Sequence, residues 1–344
     1  MRVVPTSSRS LARRLAAVVL SVAAALGSAL AAAPPAHAVG ESYVALGDSY
    51  SSGVGARSYL SDGTSCQRSP YAYPSLLAAQ KGYVLNFRAC SGATVADVSA
   101  TQLSALSSST RYVTISVGGN DAGFADVLTE CALPGWASNC GGAVDGAQRI
   151  INGTLPGRLS TLYAAIRSRA PAAKVVVVGY PRLFMGEDCN AATWFSPSEE
   201  TRLNQTADLL NSRLAAAASA QGFAFANPTS RFVGHAVCDS TEWINGLSYP
   251  VSESYHPNRA GHSSGYAPLV SPLLTGAAAR ITAAVVAQAR RAAGAQAAQQ
   301  RQYAALDRSV RPETFRVPDL RSPRVRAAAR AHGIDLERWI RTHT

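Results

Sequence analysis

Five short, largely apolar runs at residues 43–46, 84–87, 112–117, 174–179 and 223–226 constrain this chain most. They are too short for ordinary helices and lack polar alternation, the pattern of strands buried on both faces. The stretches between them read as helices. Residues 159–170 put Leu159, Leu162, Tyr163 and Ile166 on one stripe and stop before Pro171. Residues 198–218 open on Ser-Glu-Glu and align Leu203, Leu210 and Leu214. Alternation of this kind builds an α/β fold, a parallel sheet covered by helices on both sides. Ligands of such sheets meet the carboxyl ends of the strands, so chemistry is expected just after each run.

The net charge of +11 invites a nucleic-acid reading until the charges are located. Residues 1–38 carry four Arg and no acid, and residues 273–344 carry thirteen Arg against five acids. The middle, 39–272, is therefore 11 − 4 − 8 = −1. A near-neutral domain between basic ends offers no nucleic-acid groove, and no nucleic-acid partner is expected. The chain divides into a leader (1–38), a domain (39–272) and an Ala/Arg-rich helical C-terminal extension (273–344). The extension is expected to be a solvated appendage, with peripheral contact to an anionic membrane or cell wall as its functional alternative.

The leader has Arg2, Arg9, Arg13 and Arg14, an uncharged stretch, and the small-residue site Ala36-His37-Ala38. It reads as a secretory signal cut after Ala38, which makes the mature protein extracellular. All six cysteines, Cys66, Cys90, Cys131, Cys140, Cys189 and Cys238, follow that site. An even count in an oxidising compartment points to three disulfides, and neighbour pairing closes the shortest loops among the many connectivities. No Cys-x-x-Cys and no paired Cys/His spacing suggests a zinc site, and no metal is expected.

The first run leads into Gly47-Asp48-Ser49. A serine hydroxyl beside a glycine, at a strand end that starts a helix, is placed to be a nucleophile if a base activates it. The third run leads into Gly118-Gly119-Asn120-Asp121, where the Asn amide can donate to a negative oxygen. The second ends in Cys90-Ser91-Gly92, where Gly92 offers a bare backbone N–H, and a Cys66–Cys90 bond would pin that loop. Among the histidines, His235 and His262 read as structural. His256, followed by Pro257, is the candidate base.

Gly47-Asp48-Ser49, Gly92, Gly118-Gly119-Asn120-Asp121 and His256-Pro257-Asn258, in this order, resemble the four blocks of the SGNH (GDSL) hydrolases. The text from Tyr43 to Gly53, with the six cysteines, is similar to the secreted actinobacterial lipases, phospholipases and esterases of that family. The resemblance covers roughly residues 41–272. It implies a flavodoxin-like three-layer α/β/α fold with a five-stranded parallel sheet, three disulfides, and no metal or organic cofactor. Ser49 would be the nucleophile and His256 its base. The N–H groups of Ser49 and Gly92 and the Asn120 side chain would form the oxyanion hole, with Asp48 and Asp121 as supports. Most members carry Asp three residues before the His, where this chain has Glu253. Two groups can therefore orient the imidazole: the Glu253 carboxylate, or the Ser254 main-chain carbonyl, which serves in some members of this branch and is the preferred expectation.

The resulting expectation is a monomeric, secreted carboxyl-ester hydrolase cleaving fatty-acyl esters through an acyl-enzyme. A polysaccharide deacetylase and a non-catalytic cell-surface binding protein are the rival readings. Substrate loops are expected at 54–72, 124–142 and 184–197, carrying Tyr59, Trp136, Phe184, Met185, Trp194 and Phe195.

Overall fold

The computed structural model describes residues 1–3, 40–312 and 314–344, so the leader expected at 1–38 lies outside the described residues apart from its first three. The five runs form β1 (Ser42–Gly47), β2 (Val84–Phe87), β3 (Tyr112–Ser116), β4 (Lys174–Val178) and β5 (Ala224–Ala226). All pair in parallel, in the order β2-β1-β3-β4-β5. The central strand β3 is buried along its whole length, as a sheet covered on both faces requires.

Among the described residues the helices of eight or more residues are α1 (Tyr73–Lys81), α2 (Phe124–Cys131), α3 (Cys140–Asn152), α4 (Leu155–Arg169), α5 (Pro197–Ala220), α6 (Ala267–Thr275), α7 (Ala283–Arg301), α8 (Pro323–Ala331) and α9 (Leu336–His343). Helices α2 to α5 pack together on one side, while α1, α6 and α7 pack on the other, giving three layers. Helix α5 starts where its chemistry dictates. Ser196 caps the Glu199 N–H, Glu199 reaches back to the Ser196 N–H, and Pro197 occupies the first turn. The sheet order reverses direction at β1 and β3, which places the crevice for a ligand beside their carboxyl ends.

Three disulfides join Cys66 to Cys90, Cys131 to Cys140, and Cys189 to Cys238. The extension departs from expectation. Helix α7 lies against α1 and β2, and Asp307 is fully buried between the equally buried Arg68 and Arg88, at 2.6 and 2.7 Å. Residue 272 marks where the resemblance stops, not where packing stops, and the solvated-appendage reading is corrected accordingly. The arginine-rich composition hid this, because a buried Asp–Arg network needs partners remote in sequence.

Candidate active site

Strand β1 runs into a turn whose backbone is over-determined. Gly47 has φ +118°, and a Cβ there would sit 2.2 Å from the Ser116 carbonyl oxygen, so only glycine fits. The Gln102 amide accepts from the Gly47 N–H at 2.7 Å and donates to its carbonyl at 2.9 Å. Ser49 follows as the first residue of a helical turn, Ser49–Ser52, capped by the Asp48 carboxylate on the Tyr50 N–H. Asp48 also accepts from Ser116 Oγ at 2.6 Å and from the Tyr180 hydroxyl. Burial pushes its pKa up to about 6, while those donors favour the charged form. Asp48 thus fixes the turn that aims Ser49 and does not touch the imidazole among its hydrogen-bond partners.

His256 arrives from a loop in the far part of the chain, 207 positions from Ser49. Tyr255, at φ +59°, receives a hydrogen bond from the Tyr50 hydroxyl on its carbonyl, and the Asn245 N–H donates to the His256 carbonyl. This clamp brings His256 Nε2 to 2.9 Å from Ser49 Oγ. On the other side of the ring, Nδ1 lies 2.9 Å from the Ser254 carbonyl oxygen. A carbonyl only accepts, so Nδ1 carries the proton and Nε2 is free to accept the serine's. Burial holds the imidazole well below its usual range, at about 4, opposed by the bond to Ser254.

Glu253 does not reach this ring among its hydrogen-bond partners. Its carboxylate accepts from the Tyr59 hydroxyl at 2.5 Å and lies 3.5 Å from Arg57 Nε. The extra methylene relative to aspartate sends the charge toward the 54–60 loop, and the main-chain carbonyl occupies the place beside Nδ1. Glu253→Gln is therefore expected to leave kcat/KM close to wild type. It should cost about 1–2 kcal/mol of stability through the weakened Tyr59 bond. Parallel esterase kinetics and denaturant melts check this, and a large loss of turnover would return the orienting role to the carboxylate.

The amide donors converge from two other strand ends. The Ser49 N–H, at a helix start, and the Gly92 N–H, in a loop at φ +82°, meet no protein acceptor among the described residues. Asn120 Nδ2 donates one proton to the Ala93 carbonyl at 3.0 Å, which leaves its second for a ligand. Asp121 accepts from the Val95 N–H at 2.9 Å and lies 3.4 Å from Arg158, tying the two donor loops together. The Cys66–Cys90 bond and the Ser91 N–H on the Cys66 carbonyl pin the Gly92 loop from behind.

An apolar pocket lined by Tyr50, Gly119, Leu128, Ile151, Leu183 and Leu210 adjoins the site through Tyr50 and Gly119, the chain neighbours of Ser49 and Asn120, without Ser49 or His256 in its lining. Its walls come from α2, α3, α5 and the segment after β4; of the expected segments, 124–142 contributes through Phe124, Val127 and Leu128, as helix rather than loop, while 54–72 and 184–197 do not line it. Phe184 and Phe195 are buried against Tyr255, while Trp136 and Trp194 meet Trp339 of the extension. His262 is buried as a structural residue, its Nδ1 accepting from the Tyr73 N–H at 3.3 Å. His235 stacks on Trp243. Sequence reading missed Ser116, Gln102, Tyr50 and Tyr180. Tyr180 stands directly after the fourth run, so the strand-end rule was a signal for it.

The fold and this constellation are those of a hydrolase of carboxylic esters. The chain belongs to the GDSL-like Lipase/Acylhydrolase family, whose model matches residues 45–263. It is 45% identical over 260 residues to Lipase 1 of Streptomyces coelicolor, spanning 75% of this chain and 96% of that one. Among solved structures it is similar to an extracellular lipase from Streptomyces rimosus, with TM-score 0.64 and 45% identity. That match covers 67% of this chain and 99% of the lipase. It is likewise similar to phospholipase A1 from Streptomyces albidoflavus, with TM-score 0.64 and 44% identity, covering 67% and 98%.

Proposed function

We propose that this chain is an exported lipase or phospholipase that cleaves fatty-acyl esters through an acyl-enzyme on Ser49. The line Ser49 Oγ, His256 imidazole, Ser254 carbonyl, closed by two 2.9 Å hydrogen bonds, carries the reading. His256 Nε2 takes the hydroxyl proton as Ser49 Oγ bonds to the ester carbonyl carbon. The negative oxygen that results is held by the N–H groups of Ser49 and Gly92 and by Asn120. The imidazolium, steadied by Ser254, then passes its proton to the departing alkoxide as the ester bond breaks. Water repeats the cycle and releases the fatty acid. The apolar pocket beside Tyr50 and Gly119 suits an acyl chain, which favours lipids over acetylated sugars. The leader reading and the three disulfides support export to an oxidising compartment. No helix among the described residues is long and apolar enough to cross a membrane.

Nitrophenyl esters of increasing chain length, beside phosphatidylcholine and triolein, test the substrate class. Rates are expected to rise beyond acetate, and a strong preference for acetyl would turn the reading to polysaccharide deacetylation. The pH profile tests the base. His256 must be neutral to accept the serine proton, and burial lowers its pKa to about 4. The acid limb of kcat/KM should therefore fall only well below the usual imidazole value, with activity nearly constant from pH 7 to 6. A midpoint near 6.5–7 would contradict it.

A further inference from the structure

Beyond Asp307 the chain leaves the α7 layer and crosses the carboxyl end of the sheet. The Arg311 carbonyl and Pro312 lie against Gly92, so closely that a Cβ on Gly92 would meet Arg311 O at 2.4 Å and Pro312 Cα at 2.5 Å. Phe315, itself buried, packs edge-on against Tyr255 with ring centroids 4.9 Å apart. Gly92 belongs to the amide-donor loop and Tyr255 precedes His256, so one short stretch touches both sides of the catalytic centre. Ser49 and His256 are only 7% and 8% exposed.

The stretch is held at two ends of unequal strength. At the root, Asp307 is locked between Arg68 and Arg88. At the far end, Arg316 pairs with Asp126 at 2.7 Å, its N–H bonds Thr129 Oγ1 at 3.0 Å, and Arg324 pairs with Glu130. Val325 joins a small cluster with Leu133 and Ala137. These partners belong to α2 and the loop after it, and α2 forms a wall of the apolar pocket through Val127 and Leu128. The Arg316–Asp126 pair is 70% and 68% exposed, the kind of contact that contributes little and weakens with salt.

We propose that this stretch, residues 309–312 and 314–325, is a strap that sets the bulk of ester reaching Ser49, with Pro312 and Phe315 as its specificity-determining residues. It rests on the Ser49 reading above but adds to it. The family match ends at residue 263, so the selectivity belongs to a segment outside the matched region. An ester with one slim acyl chain and a small alcohol passes the strap; a two-chain lipid is disfavoured until the far end lets go.

The test is a chain ending at Arg308, which keeps Asp307 and α7. Its kcat/KM is compared with the full chain on nitrophenyl butyrate and on dioleoyl phosphatidylcholine in mixed micelles. The ratio of bulky to slim substrate is expected to rise about tenfold or more, with butyrate hydrolysis retained. An unchanged ratio, whatever the absolute rates, overturns the strap. Should the shortened chain fail to fold, the full-length double variant Arg316→Ala/Arg324→Ala loosens only the far anchor. It is expected to move the ratio in the same direction by about threefold, and no change there overturns the proposal equally. Butyrate hydrolysis that survives shortening but vanishes in Ser49→Ala keeps the catalytic reading intact even where the strap fails.

Discussion

Ser49→Ala is expected to lower kcat by about 10⁴-fold or more on any ester, with circular dichroism and disulfide content unchanged. The hydroxyl is the only group in line with His256 Nε2 among the described residues, and alanine leaves the 2.9 Å gap with nothing to transfer. Because nucleophile and base act as a unit, His256→Ala should cost a similar factor, and the double variant little more than either. Asn120→Ala removes one oxyanion donor and should cost about 10²–10³ in kcat. Burst titration with a nitrophenyl ester supplies a second readout: one acyl group per wild-type chain, and none for Ser49→Ala. A Ser49→Ala chain that keeps more than a few per cent of the rate would end the serine mechanism, and full substrate binding without turnover in the wild type would favour a binding protein.

Asp307→Ala is expected to be the most destabilising single change outside the active site. It strands the fully buried Arg88 guanidinium and takes one of two carboxylates from the equally buried Arg68, which Asp307 meets at 2.7 and 2.6 Å. Burial already pulls Arg88 below its usual pKa, and the carboxylate is what opposes that pull. Breaking such a group by removing one partner costs about 3–5 kcal/mol, or roughly 5–10 °C in Tm for a domain of this size. Arg68 still has Asp62 at 2.7 Å, whereas the remaining bonds of Arg88 run to neutral oxygens of Gln300 and Thr101. Denaturant unfolding at constant m-value checks the magnitude. Replacing Arg88 and Asp307 together by apolar residues, Arg88→Met/Asp307→Leu, should recover most of the loss, because the ions that stay buried, Arg68 and Asp62, still pair with each other at 2.7 Å. A single-variant loss under 1 kcal/mol would show that water reaches the arginines.

The sheet was legible because strands buried on both faces leave a compositional trace that needs no partner to recognise. All five runs became strands, with ends shifted by a residue or two, and Lys174, expected as a strand start, is one. The helix expected at 159–170 begins earlier, at Leu155, since Pro156 is welcome in a first turn. Ser49, Gly92, Asn120 and His256 were readable as blocks because each stands at a strand end or beside a proline. What holds them was not. Tyr180 on Asp48, Gln102 on Gly47 and Tyr50 on the Tyr255 carbonyl join positions far apart in sequence through side chains with no local pattern. The extension was misjudged for the same reason. Thirteen arginines look like a solvated surface until one asks which acids they face, and Asp307 faces residues 239 and 219 positions earlier.

That separation bears on how the molecule is made. Arg68 and Arg88 leave the ribosome long before Asp307 is synthesised; Arg68 already has Asp62 to pair with, whereas the other bonds of Arg88 run to neutral oxygens until Asp307 arrives. Full stability is therefore expected only once nearly the whole polypeptide exists, which ties the order of assembly to the completion of synthesis.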